Sequence, residues 1–172
     1  ALEFVAMAIS AMVFALGWNL RGTGKNSHAV ILGVGFLAVG LIDLAHTLSF
    51  AGMPDLVTPS SPEKAINFWL AGRFVAAGVL LAVALSPPTH WSSLRSLGAL
   101  LATLTLSAGV WWVGIAHGEW LPLSFIAGEG LTTFKIGAEY MLASVYGLTA
   151  VLLYHKAATQ QHDDRLWLAA AA

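Results

Sequence analysis

Five stretches of roughly 20 apolar residues, each closed by a glycine- or proline-bearing break, narrow the folds open to this chain almost to one. They lie near residues 2–20, 29–50, 65–85, 94–115 and 132–154. In lipid every backbone N–H and C=O must be satisfied within the spanning structure, and long unbroken apolar runs do this as helices, whereas barrel strands are short and alternate. With 58% hydrophobic and only 10% charged residues in 172, the chain lacks the charge to cover a water-facing surface. The expected fold class is all-α: a polytopic transmembrane helical bundle with five complete spans in this chain.

The breaks support that division. Arg21-Gly22-Thr23-Gly24-Lys25-Asn26-Ser27 separates the first two spans, and Gly52 and Pro54 close the second. Ser61-Pro62-Glu63-Lys64 has the form of a helix start, with Ser61 as cap and Pro62 in the first turn. Pro87-Pro88 stops the third span. Thr103, Thr105, Ser107 and Gly109 in the fourth, and Gly33, Gly35, Gly40, Gly72 and Gly78 in the second and third, are expected at close helix contacts. After a polar tail over 156–165, Leu166 is expected to open a further span, dividing the chain into a membrane unit 1–165 and the start of another helix at 166–172.

A net charge of −1 with scattered Lys and Arg provides no basic field, so nucleic acid is not expected as a partner. The absence of cysteine removes disulfides and thiolate chemistry. Arg21 and Lys25, Arg95 and Lys156 fall in the first and third loops and the tail, whereas the second and fourth loops carry mainly Asp55, Glu63, Glu119 and Glu129. By the positive-inside rule the chain starts outside the cell's inner (plasma) membrane and its tail is cytoplasmic.

Ionisable residues inside the spans identify the candidate site, because such groups are costly in lipid unless they pair, face a cavity or bind something. Asp43 and His46 share one helix face, as do Lys135 and Glu139. Arg73 is the permanent cation deepest in the apolar region, with Asp43 and Glu139 as its expected partners. From a rise of about 1.5 Å per residue, Glu3 and Lys135 lie near the outer boundary, His46 and Glu139 about 6 Å in, and Asp43 and Arg73 about 10 Å in. Trp69, one turn before Arg73, is placed to stack on its guanidinium. Trp18, Trp91, Trp111, Trp112 and Trp120 fall near span ends and read as interfacial anchors.

A buried ion-pair brace and a ligand or proton site both fit these residues; the surplus of acids favours the second. A metal ion is a candidate occupant, with His46, Asp43 and Glu139 as a mixed nitrogen and oxygen set. Haem is disfavoured, since His28, His90 and His155 lie at the opposite end and His117 in a loop.

Three strings resemble those of the MASE3 family, membrane-associated sensor domains at the front of bacterial signalling proteins. They are Asp43-Leu-Ala-His46-Thr-Leu48, Trp69-Leu-Ala-Gly-Arg73, and Gly130-Leu-Thr-Thr-Phe-Lys135-Ile-Gly-Ala-Glu139-Tyr140. Glu3 matches the family's first-helix glutamate, and the resemblance covers essentially the whole chain. It implies a sensory input role, not an enzyme, with output through a cytoplasmic domain or partner subunit of histidine kinase, PAS or diguanylate cyclase type. Glu3, Asp43, His46, Trp69, Arg73, Lys135, Glu139 and Tyr140 are thus the expected contacts for an unnamed small ligand. The family pattern extends beyond both ends, so neighbouring segments are expected. The alternative function is a structural or cofactor-anchoring subunit of a larger membrane complex.

Overall fold

The computed structural model describes residues 2–55 and 57–171, with side chains described as far as Thr159. Its helices are α1 (Leu2–Asn19), α2 (Ser27–Leu48), α3 (Pro62–Leu85), α4 (Ser93–Ala116) and α5 (Thr133–Ala171). Among the described residues five stretches are long and apolar enough to cross a membrane, the last being Thr133–Thr159 of α5. The 22 residues of α2 rise about 33 Å at 1.5 Å per residue, enough for a hydrocarbon layer of about 30 Å. The protein is therefore a multi-pass membrane protein in contact with the bilayer. The backbone of α5 is helical through the polar tail, and the expected opening of another span at Leu166 lies outside the described side chains.

Local chemistry sets the helix ends. Ser61 accepts a hydrogen bond from the Lys64 amide at 3.1 Å and Pro62 occupies the first turn, so α3 starts as its sequence indicates. Ser92 caps α4 through the Arg95 amide. One feature absent from the sequence reading is a short antiparallel hairpin between α4 and α5, pairing β1 (Phe125–Ile126) with β2 (Gly130–Leu131). Gly128 and Gly130 take positive φ there, which the turn requires.

Helix α2 is central: it packs against α1, α3 and α4, while α5 packs on α3. The α1–α2 crossing is close because side chains are missing from it. A Cβ on Gly17 would stand 2.9 Å from Gly33 Cα, and one on Gly40 would stand 3.1 Å from Ser10 Cβ. These pairs step by seven residues in opposite directions, and the same step continued leads to positions 3 and 47. At the α2–α3 contact Gly35 receives Val79, and Gly72 receives the Asp43 carboxylate.

Two expectations about small residues fail. Gly78 and Gly109 meet nothing within 4 Å, and Thr105 is exposed. Helix α4 instead docks through Gly114, which admits the Phe68 ring, and through Trp111, whose Nε1 donates to the Leu41 carbonyl at 3.0 Å. Trp111 is thus a packing residue rather than an interfacial anchor: its indole N–H finds a mid-helix carbonyl.

At the Lys156 end the loops are clamped. The Asn26 amide spans Trp91, accepting from its N–H at 2.7 Å and donating to its carbonyl at 3.2 Å. Ser27 and Thr89 exchange two further bonds, Ser27 N to Thr89 O and Thr89 N to Ser27 Oγ. Lys156 of α5 donates to the carbonyls of Val83 and Ser86 at the end of α3.

Candidate sensory site

The site forms where α2, α3 and α5 come together. Asp43 is 1% exposed, and its carboxylate lies 3.9 Å from Arg73 Nη2. Gly72 makes this possible: a Cβ there would be 3.2 Å from Asp43 Oδ1, so the missing side chain lets the carboxylate approach the α3 backbone. Both carboxylate oxygens are buried without a hydrogen-bond partner among the described residues. A closed salt bridge has charge-assisted bonds of about 2.7–2.9 Å; at 3.9 Å the guanidinium neutralises the carboxylate without saturating it. Glu3 and His46 lie within electrostatic reach of Asp43.

Arg73 rests 5.5 Å from the Trp69 ring centroid, as the one-turn spacing predicts, and Lys135 Nζ of α5 approaches the same ring at 5.2 Å. One indole thus collects two cations from two helices, a cation–π arrangement strengthened by partial burial. Lys135 also pairs with Glu139 one turn along α5. Glu139 is therefore engaged by its own helix, and the ion pair to Arg73 comes from Asp43. An i, i+4 pair needs no interhelical alignment.

His46 departs from the centre. Its Nδ1 contacts the Ala65 carbonyl at 2.7 Å. A carbonyl only accepts, so Nδ1 carries a proton and donates it. Among the described residues no three of His, Cys, Asp and Glu gather closely enough to hold a metal. The set His46, Asp43 and Glu139 is drawn apart, with His46 turned to Ala65 and Glu139 to Lys135.

Tyr140 is not in the site. It falls on the outward side of α5 and is 73% exposed, while the inward stripe runs Lys135, Ala138, Leu142 and Tyr146. Tyr146 takes the expected place: its hydroxyl donates to the Arg73 carbonyl at 3.1 Å and lies within electrostatic reach of Arg73 and Asp43. The sequence carried the signal, since Tyr146 stands seven residues after Glu139 on the same helical face.

Asp43, Arg73, Trp69, Lys135 and Glu139, the residues of this locus, are also those of the three sequence strings. A family model described as a membrane-associated sensor domain, MASE3, matches residues 1–172. The chain belongs to the MASE3 family. No curated protein and no solved structure gives a match. MASE3 membership makes this a sensory input domain rather than a catalytic one, and its polar locus lies inside the membrane-spanning part of the fold.

Proposed function

We propose that this MASE3 domain senses its stimulus at the Asp43–Arg73 locus, by binding a proton or a small polar ligand there, and relays the result along α5 to a cytoplasmic output of histidine kinase or diguanylate cyclase type. The observation that carries this reading is the buried Asp43 carboxylate, held beside a cation yet with both oxygens unsatisfied among the described residues. A structural brace lowers its energy by closing its hydrogen bonds, and buried polar groups in native structures overwhelmingly do so. A carboxylate kept loose is suited to change partners.

The relay follows from who holds Arg73. Its side chain faces Asp43 of α2 and Trp69, and its carbonyl is held by Tyr146 of α5. A change in the pairing of Asp43 would alter the position of α3 against α2, and Tyr146 passes that shift to α5. A ligand biases such an equilibrium only by its different affinity for the two arrangements. On this reading the chain starts outside the bacterial inner membrane and α5 runs toward the cytoplasm, consistent with the loop charges.

The test is output activity of the full-length signalling protein in membranes, titrated with pH. Asp43→Asn and Tyr146→Phe should leave the protein inserted but flatten the response. An unchanged response in both variants would contradict the proposal.

A further inference from the structure

We propose that the groove between α3 and α4, on a different face of α3 from the sensory locus, binds a single-chain amphiphile bearing a cationic nitrogen head group. The groove has two parts. An apolar cavity of about 460 Å³ is lined by Phe68, Ala71, Val110, Trp112 and Val113. It meets a second cavity of about 430 Å³ at Asn67, Gly114 and Leu121, where Glu63, Lys64 and Glu119 line the wall. Each volume falls in the range of about 300–1,000 Å³ typical of small-molecule sites.

Both helices step from apolar to polar toward the same end. On α3 the lining runs from Ala71 to Asn67 and then to Lys64 and Ser61; on α4 it runs from Leu106 to Gly114 and then to the loop at Glu119. An occupant must therefore be apolar toward the bilayer interior and polar at its boundary, which is the build of an amphiphile standing along the membrane normal. Gly109 lines the apolar part, and a Cβ there would meet nothing within 4 Å, so the space is real at that wall.

The head group is chosen by charge and aromatic faces. Lys64 directs its ammonium to Thr58, at 3.0 Å from the carbonyl and 2.9 Å from Oγ1. Glu63 and Glu119 leave the polar part with an excess of acid. An anionic head would meet two carboxylates, and the phosphate of a phospholipid would meet the same repulsion. Trp112 lines the cavity, with Trp120 5.6 Å away and His117 stacked on Trp120 at 4.0 Å. An indole on the apolar wall and an excess of acid at the polar end together favour an alkylammonium group over an anionic head. At the junction the Asn67 amide makes no hydrogen bond among the described residues and lines both cavities, so its Oδ1 is available to an amine.

The experiment titrates dodecyltrimethylammonium and dodecyl sulfate into the protein in phosphatidylcholine nanodiscs, with empty discs subtracted, following tryptophan fluorescence and binding heat. The expected result is saturable one-to-one binding of the ammonium and only non-saturable partitioning of the sulfate. Gly109→Leu, which fills the apolar part, should abolish saturation. The double variant Glu63→Gln with Glu119→Gln lies at the polar end and should weaken binding by about tenfold or more, about 1.4 kcal/mol. Should Gly109→Leu fail to fold by circular dichroism, the double variant decides alone. Equal saturable binding of both amphiphiles, no saturable binding of the ammonium, or unchanged affinity in the double variant would overturn the proposal. None of these outcomes bears on Asp43, whose test is the output response.

Discussion

Replacing Gly17 by alanine should be one of the most damaging single-methyl additions this protein can receive. A Cβ on Gly17 would overlap the Ala29 carbonyl oxygen and stand 2.9 Å from Gly33 Cα, all of it backbone that no side-chain rotation can move aside. Ordinary contact begins near 3.4 Å, so α1 and α2 must separate by about 1 Å at their closest point. Overpacking of this kind costs about 1–3 kcal/mol, offset by at most about 1 kcal/mol from the better helix propensity of alanine. The matched control is Gly78→Ala in the middle of α3, where the added methyl meets nothing within 4 Å and only the propensity gain remains. Unfolding in mixed micelles of rising dodecyl sulfate fraction, followed by circular dichroism, should show Gly17→Ala less stable and Gly78→Ala as stable as the parent or more so. Because the seven-residue register that begins at Gly17 and Gly33 also leads to positions 3 and 47, the Gly17 variant should reduce the influence of Glu3 on the site as well. Equal stability of the two variants would refute the close α1–α2 crossing and, with it, the placement of Glu3.

Three further outcomes follow from individual contacts. Trp111→Phe removes the indole donor to the Leu41 carbonyl while keeping an aromatic ring, and should lower stability by about 1 kcal/mol in the same unfolding assay. Asn26→Ala removes both bonds to Trp91 and should increase amide exchange at Trp91 more than at Phe125 in the opposite loop. Glu119 is held below the usual carboxylate range by its own backbone N–H and by His117. Its depressed value in the fold means the His117–Glu119 pairing is complete above the ordinary glutamate range and is lost as pH falls through the lowered value, so the fluorescence of Trp120, stacked on His117, should change in that acid window in the parent and not in Glu119→Gln.

The spans, the Ser61 helix start and the Trp69–Arg73 stacking were legible in the sequence because each depends on local spacing: hydrophobic length, a capping residue before proline, one turn of helix. The interhelical choices were harder to read. Nothing in the order of residues says whether Arg73 takes Asp43 or Glu139, since that depends on Glu139 finding Lys135 first on its own helix. Tyr140 looked like a site residue because it lies beside Glu139 in the sequence, but neighbours in a helix point about 100° apart, and Tyr146 at the matching face is the residue that reaches Arg73. The role of Gly72 was readable as a close contact, while what it contacts, the Asp43 carboxylate, needed the fold.

The central claim is that Asp43 and Arg73 form one coupled unit across the α2–α3 contact. A double-mutant cycle with Asp43→Asn, Arg73→Gln and the pair, read by unfolding of the reconstituted protein, measures that coupling directly. The account predicts that either single change strands a charge, so that the double change costs less than the sum of the two single changes, with a coupling energy of about 1–3 kcal/mol. Additive effects of the two substitutions would contradict it.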